Sequence, residues 1–168
     1  MKITLLSVCM IVLLASCGSE QAVHKVARPT YGSGTIAAVW DLEDASVVKH
    51  ASLSAMQEFL TAKVIETLKD KGQYELIERQ KLLLALEELN LGSSALASET
   101  SRLRVGEILG AQLMVFGGYQ LVGNQLRIDL RVIEVETGTV IKAAEQTTSA
   151  ADVSGWLKAA EEAAVKLL

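Results

Sequence analysis

The chain has 168 residues, of which 50% are apolar, 21% charged and 4% aromatic, and its formal net charge is −4 at pH 7. This length gives room for one domain, and the apolar content excludes disorder over the whole chain. The acidic balance argues against nucleic-acid binding, because neutralising phosphates requires a basic surface. Two cysteines are too few for a disulfide scaffold.

The first sixteen residues predict a signal peptide. Lys2 precedes an almost unbroken apolar run over residues 3–14. A helix of that length spans about 18 Å, which is too short for a bilayer core of about 30 Å. The run is therefore typical of a signal peptide at 1–16 rather than of a transmembrane helix.

The residues that follow resemble a bacterial lipobox. Leu14, Ala15 and Ser16 precede Cys17, the position at which such a motif places the acylated cysteine. We expect a covalent lipid on Cys17 that anchors the protein to a membrane; an ordinary secretory signal with a nearby cysteine is the alternative. Gly18 follows, rather than the aspartate that resembles an inner-membrane retention mark. We therefore expect an anchor in the outer membrane that faces the periplasm.

The remaining chain is predicted to be a tether followed by one domain. Residues 17–33 have no apolar period and contain the only proline, which favours an acylated cysteine on a flexible tether. Residues 34–168 contain no linker and no internal repeat, so we expect them to form a single domain.

Apolar periodicity predicts an α/β fold for this domain. Spacings of three and four indicate helices, alternation indicates strands, and Gly123-Asn124 indicates a hairpin turn. The predicted elements are a strand at 35–42, a loop at 41–50, a helix at 52–71, a strand at 74–77, a helix at 79–89, a helix from Ser98 or Thr100 to Gly110, strands at 113–122, 125–135 and 139–144, and a helix at 152–168. The order β-α-β-α-α-β-β-β-α indicates a mixed β-sheet with packed helices.

The sequence contains no motif typical of an enzyme, a metal site or a nucleotide site. His24 and His50 have no second ligand at metal-binding spacing. Asp41, Glu43 and Asp44 cluster after the first strand; such carboxylates can bind a cation or transfer protons, but they more often form a solvated loop end. We therefore expect a protein that is not an enzyme, with no small-molecule substrate, no metal and no cofactor apart from the covalent lipid.

Two glycine pairs have structural explanations. Gly117 and Gly118 lie inside a predicted strand, where a close backbone approach accounts for them. Gly106 and Gly110 have the spacing of a membrane dimer motif. Packing of a helix within the domain, with Gly110 ending the helix, is favoured over that motif.

Two helices are candidate surfaces for partner proteins. Leu82, Leu83 and Leu86 belong to a helix whose leucines cover more than one face. This helix is either clamped between the sheet and a neighbouring helix or in contact with another protomer. Trp156, on the apolar face of the last helix, is a further candidate contact.

A row of charges on a predicted strand allows two interpretations. Arg127, Asp129 and Arg131 alternate with apolar residues and therefore share one face of the sheet. They form either a plain solvated face or an electrostatic docking strip for a partner.

Several short runs occur in the order in which a known family carries them. They are the residues at 36–41, 74–80, 108–111, 115–119, 130–135 and 136–138. Together they resemble, over residues 34–147, the CsgG-like family of bacterial outer-membrane lipoproteins, which includes the curli secretion lipoprotein and its FlgO and LpoB relatives. The runs at 78–80 and 131–138 are the most specific.

The resemblance implies an α/β periplasmic domain that is anchored to the outer membrane and that self-associates or binds envelope proteins. It also implies structural rather than catalytic roles for the family-motif residues, with Glu78 and Arg79 as a pair at a strand–helix junction. These residues are Asp41, Glu78, Arg79, Gly110, Gly117, Arg131, Thr137 and Gly138. Tight turns at 119–125 and 136–138 replace long hairpins of the pore-forming member, so we expect a short form without the pore hairpins.

The function implied is that of an assembly or scaffolding component for the export of a cell-surface structure, as in curli secretion. Two alternatives remain open: a lipoprotein activator of peptidoglycan synthesis like LpoB, and a flagellar envelope accessory like FlgO.

Overall fold

The computed structural model describes residues 31–48, 51–72, 74–89, 98–149 and 152–168. The predicted signal peptide, the lipobox with Cys17, most of the tether, and both histidines lie outside these residues. Residues 31–168 form one compact unit, which begins three residues before the predicted boundary at Gly34. No helix in the described ranges is long and apolar enough to cross a membrane.

Strands and helices alternate in the first half of this unit, and a three-stranded meander follows. In chain order the elements are β1 (Thr35–Val39), β2 (Glu43–Asp44), α1 (Ala51–Ser54), α2 (Gln57–Asp70), β3 (Tyr74–Leu76), α3 (Arg79–Glu88), α4 (Glu99–Ile108), β4 (Leu113–Val122), β5 (Gln125–Glu134), β6 (Val140–Ser149) and α5 (Val153–Val165). This arrangement confirms the predicted mixed α/β fold class.

The strands form one mixed sheet in the order β3-β1-β4-β5-β6, with β2 paired to the far end of β4. β1 is parallel to both β3 and β4, whereas the β4–β5 and β5–β6 pairs are antiparallel. The turn that joins β4 to β5 contains Gly123 in the left-handed region, at a φ of +61°. The two-residue connection at 123–124 is the predicted one, whereas residues 135–139 join β5 to β6 and exceed the predicted turn at 136–138 by two residues.

The larger core lies between α2, α5 and one face of the sheet. α2 contributes Leu60, Val64 and Leu68, which are fully buried, against apolar residues of β1, β4 and β5. α5 contributes the buried alanines Ala159, Ala160, Ala163 and Ala164. Val153, predicted to lie on the buried face, is 45% exposed. The buried stripe of α5 therefore consists mainly of small side chains, which let the helix approach the sheet closely.

The smaller core lies on the other face, beneath α3 and α4. Leu82 and Val105 from these helices pack with sheet residues that include Met114. A Cβ on Gly106 would lie 2.4 Å from the Sδ atom of Met114, so α4 approaches the sheet most closely here. Gly110 follows α4 at a φ of +76°. Both glycines thus have the packing and helix-ending roles predicted for them.

The bounds of the helices and strands agree with the predictions at one helix cap and differ from them elsewhere. Ser98 is the N-cap of α4 and accepts a hydrogen bond from the Ser101 amide, as one of the two predicted caps. β1 ends at Val39, before the predicted end at 42. The predicted loop at 41–50 contains β2, which pairs with Gly118 and Tyr119 of β4. The predicted helix at 52–71 is divided into α1 and α2. β6 continues past Ala144 to Ser149, because it pairs with the whole length of β5.

The first described residue is held by the end of β5. The half-buried Tyr31 donates a hydrogen bond from its hydroxyl to the carboxylate of Glu134, which also accepts one from Thr137. Burial and the Glu134 carboxylate raise the pKa of Tyr31 to about 12. The hydroxyls of Thr137 and Tyr31 lower the pKa of Glu134 below its ordinary value of 4.5. These contacts hold Tyr31 against the end of β5.

Tyr31→Phe removes the hydroxyl that Glu134 accepts from, so we expect a lower free energy of unfolding near neutral pH. Folding lowers the pKa of Glu134, so this stabilisation is present above 4.5 and is lost as the pH falls through the lowered value. Urea unfolding should therefore show a difference from the parent that shrinks as the pH is lowered. A difference that does not change with pH would contradict this account.

A charged cleft as the candidate functional site

A cleft of about 570 Å³ opens on the sheet face that α3 and α4 cover only in part. These helices pack over β1 and the first half of β4, where Trp40 and Phe116 are buried. Beyond Phe116 the same face continues across β5 and β6 with small and charged side chains. The cleft lies where the apolar part of this face meets the charged part.

One wall of the cleft combines two aromatic rings with an arginine. The ring centroids of Trp40 and Phe116 are 6.4 Å apart, with the ring planes inclined at 40°. The guanidinium carbon of Arg102, from α4, lies 5.5 Å from the centroid of the Trp40 ring, within the range of a cation–π interaction. Arg102 also forms an ion pair with Glu43 of β2. Its guanidinium is therefore held between a ring and a carboxylate.

The floor of the cleft depends on two glycines in β4. A Cβ on Gly117 would lie 2.5 Å from the Cδ2 atom of Leu130 and 2.8 Å from the carbonyl oxygen of Asp129. A Cβ on Gly118 would lie 3.1 Å from the carbonyl oxygen of Glu43. The close backbone approach predicted for this pair is therefore present, and the backbone of both glycines lines the cleft.

The charged row on β5 forms ion pairs with two neighbouring elements. The Nη2 atom of Arg127 lies 2.7 Å from the Oδ1 atom of Asp129 and 2.8 Å from the Oε2 atom of Glu145 on β6. Arg131 pairs with Glu99 at the start of α4. The row therefore connects β5 to β6 and to α4, and two of its members, Asp129 and Arg131, line the cleft.

Arg79 holds two carboxylates, one of which, that of Asp41, lines the cleft. Its Nε and Nη2 atoms donate to the two carboxylate oxygens of Asp41 at 3.0 and 2.9 Å, and its Nη1 atom donates to Glu58 at 3.1 Å. The hydrogen bonds to Asp41, together with the smaller contribution of Glu58, raise the pKa of Arg79 above its ordinary value. Arg79 thus joins the end of β1, the start of α2 and the start of α3.

The three acidic residues after β1 have separate partners. Asp41 binds Arg79, Glu43 binds Arg102, and Asp44 accepts a hydrogen bond from the Ser46 amide at 2.9 Å. Among the residues that the structure describes, no group of three His, Cys, Asp or Glu side chains is placed to hold a metal ion. Two of the three carboxylates therefore pair with arginines, and the third accepts a hydrogen bond from a backbone amide.

The remaining family-motif residues lie at helix ends and turns. Glu78 immediately precedes α3, and its backbone carbonyl accepts from the Lys81 amide. The carboxylate partners of its neighbour Arg79 are Asp41 and Glu58, so Glu78 and Arg79 share the junction without pairing as one unit. Gly138 has a φ of +67° in the turn before β6, and Thr137 in the same turn donates to Glu134.

The candidate interface residues are divided between the core and the surface. Leu82 is buried in the smaller core and Leu86 packs against it, whereas Leu83 is 43% exposed. α3 therefore has both a core side and an exposed apolar side. Trp156 is half-buried against the larger core.

Sequence reasoning did not find two features. The stacking of Arg102 on Trp40 joins residues that are far apart in the chain, and no local pattern indicates it. Phe59, 60% exposed on α2, lies off the apolar spacing that buries Leu60 and Val64. An aromatic residue outside the buried stripe of a helix is a signal that could have indicated this surface.

Arg79→Lys keeps the positive charge but removes the fork that holds Asp41 through two donors and Glu58 through a third. We expect the free energy of unfolding to fall by about 1 kcal/mol, which is the upper range for partly exposed ion pairs. Urea unfolding near neutral pH measures this change. Arg104→Lys, on the exposed side of α4, is the matched control and should leave the midpoint unchanged. Equal losses in both variants would refute the role assigned to Arg79.

Solved structures similar to this one include three bacterial proteins, all below 20% identity, so the likeness concerns the fold. The C-terminal domain of LpoB from Salmonella enterica matches with a TM-score of 0.58 and 18% identity, over 70% of this chain and 84% of that one. Lipoprotein GNA1162 from Neisseria meningitidis matches with a TM-score of 0.58 and 13% identity, over 78% and 94%. The PelC dodecamer from Paraburkholderia phytofirmans matches with a TM-score of 0.51 and 14% identity, over 83% and 89%.

The family comparison agrees with the motifs found in the sequence. No curated protein sequence matches the chain. The model of the family described as the curli production assembly/transport component CsgG matches residues 19–120, which is more than half of the chain. The protein therefore belongs to the CsgG family.

Proposed function

We propose that this protein is a lipid-anchored, non-catalytic assembly or scaffolding component for the export or assembly of a cell-surface structure. The observation that carries the proposal is the match over residues 19–120 to a family of assembly and transport components. The charged cleft supports it, because its arginines are paired with carboxylates and its wall is aromatic. Such a surface can recognise a protein partner without reacting with it.

The proposed location is the outer membrane, on the periplasmic side. Cys17 would carry the lipid, with Leu14, Ala15 and Ser16 as the lipobox before it. The likeness to a solved lipoprotein from Neisseria meningitidis supports this anchor. Residues 18–30 would then connect the lipid to the folded domain that begins at Tyr31.

A lipoprotein regulator of peptidoglycan synthesis is the second candidate function. The likeness of the fold to the LpoB C-terminal domain favours it. The predicted tether argues against it, because at about 5–6 Å × √n it spans roughly 20–25 Å, whereas an activator working through the cell wall needs a long arm. A flagellar envelope accessory role rests on the family alone.

Cys17→Ala should abolish incorporation of radiolabelled palmitate into the protein, because the thiol that accepts the lipid is removed. The measurement is labelling of the parent and the variant in cells of a two-membrane bacterium, followed by fractionation. Ser19→Ala, two residues away, is the matched control and should label normally. Equal labelling of Cys17→Ala and the parent would exclude the anchor.

Self-association is expected of a scaffolding component, and the dodecameric assembly of PelC supports it. Light scattering of residues 18–168 should give a mass that rises above that of a monomer as the concentration increases. A monomer at every concentration would favour the regulator over the scaffold.

A further inference from the structure

A second surface lies on the opposite side of the sheet from the cleft, where α2 and α5 lie side by side. A groove of about 630 Å³ runs between these helices. Residues at spacings of three and four line it from both sides: Phe59, Lys63 and Glu66 from α2, and Leu157, Lys158 and Glu161 from α5. Lys63 reaches across to Glu161 at 3.8 Å, which fixes the two helices relative to each other.

The groove carries apolar surface that the core of the chain does not use. Phe59 is 60% exposed, and no other aromatic side chain in the described ranges is as exposed. Leu157 lies beside it and is only half-buried. Aromatic side chains such as Phe59 are enriched at protein–protein contacts relative to the rest of the surface.

The groove has no net charge, whereas the chain is acidic. Two lysines, Lys63 and Lys158, and two glutamates, Glu66 and Glu161, line it, so the lining is neutral in a chain whose net charge is −4. Two copies of an acidic chain repel on average, and their contact is least opposed where the surface is neutral. The groove therefore has the charge balance that contact with a second copy requires.

A two-fold axis would make these charges complementary. β1 and β6 are parallel to each other in the sheet. α2 follows β1 and β2 in the chain, and α5 follows β6. A two-fold axis perpendicular to the groove would place each helix antiparallel to the same helix of the other copy. Lys158 and Glu161 lie one turn apart on α5, so reversing the helix brings the lysine of one copy towards the glutamate of the other.

We propose that the α2–α5 groove docks a second copy of this chain about a two-fold axis, with Phe59 of each copy entering the groove of the other beside Leu157. This inference rests on the proposed function and deepens it, because it names the surface through which the scaffold self-associates.

The groove is small for a protein–protein contact. Fewer residues line it than the roughly 20–30 that each side contributes to a standard interface. The contact therefore forms in solution only at high protein concentration, and an anchor that confines the copies to one membrane raises their effective concentration.

Site-specific crosslinking of the full chain in cells tests this contact. A photoreactive benzoylphenylalanine in place of Phe59 should give an adduct of twice the chain mass, and mass spectrometry should locate its second end on α2 or α5 of another copy. The same substitution at Val122 is the matched control, because that side chain is 61% exposed at the end of β4. The control should give no adduct between copies.

Co-purification of two differently tagged copies supplies the second measurement. Phe59→Glu should lower capture of the second copy about tenfold or more, as expected for loss of an aromatic anchor at the centre of a contact. Val122→Glu should leave capture unchanged, and circular dichroism melting should show that both variants fold.

Three results would overturn the inference: no adduct from position 59, an adduct with a different protein, or equal adducts from positions 59 and 122. Palmitate labelling in the same cells reports on the anchor separately. A labelled protein without the adduct keeps the anchor and removes the groove contact. An unlabelled protein that still gives the adduct keeps the groove contact and removes the anchor.

Discussion

β4 is covered on both faces over its first residues and on one face over the others, and the positions of the two cores and of the cleft depend on this change. β4 pairs with β1 and β2 on one side and with β5 on the other, so it joins the parallel and antiparallel parts of the sheet. Its first four residues, 113–116, are all buried, because helices cover both faces there. From Gly117 onward only the face under α2 and α5 is covered, and Tyr119 is the next fully buried side chain. The cleft exists because α3 and α4 end their coverage at this point.

The carboxylates at the edge of the covered part of the sheet are paired with arginines. Arg79 binds the carboxylates of two elements, and Arg131 binds a carboxylate on α4. Arg102 adds an aromatic contact to its ion pair. Because these pairs are partly exposed, each adds little stability, but each fixes a charge in a defined position. The pairs therefore give the cleft a fixed pattern of charge beside its aromatic wall, the kind of pattern on which electrostatic complementarity depends.

The sequence was sufficient to predict local structure and insufficient to predict distant contacts. β4 has the predicted bounds and β5 differs by one residue, because alternation and a two-residue turn define both strands and their register. β2 was missed, because two residues carry no period and pair only with a strand distant in the chain. The Asp41–Arg79 pair joins residues 38 positions apart. The family motif marked both residues, but only the fold shows that they meet. Phe59 was missed because the buried stripe of its helix accounts for the other apolar residues.

The two surfaces lie on opposite faces of one sheet, and this separation limits the assemblies that the chain can build. A contact through the α2–α5 groove uses the same patch on both copies, so by itself it closes at two. It leaves the cleft of each copy free, because the sheet lies between the groove and the cleft. Any assembly larger than this pair would need a second kind of contact elsewhere on the surface, because a two-fold contact uses its patch on both copies. A partner bound in the cleft would therefore not compete with pairing through the groove.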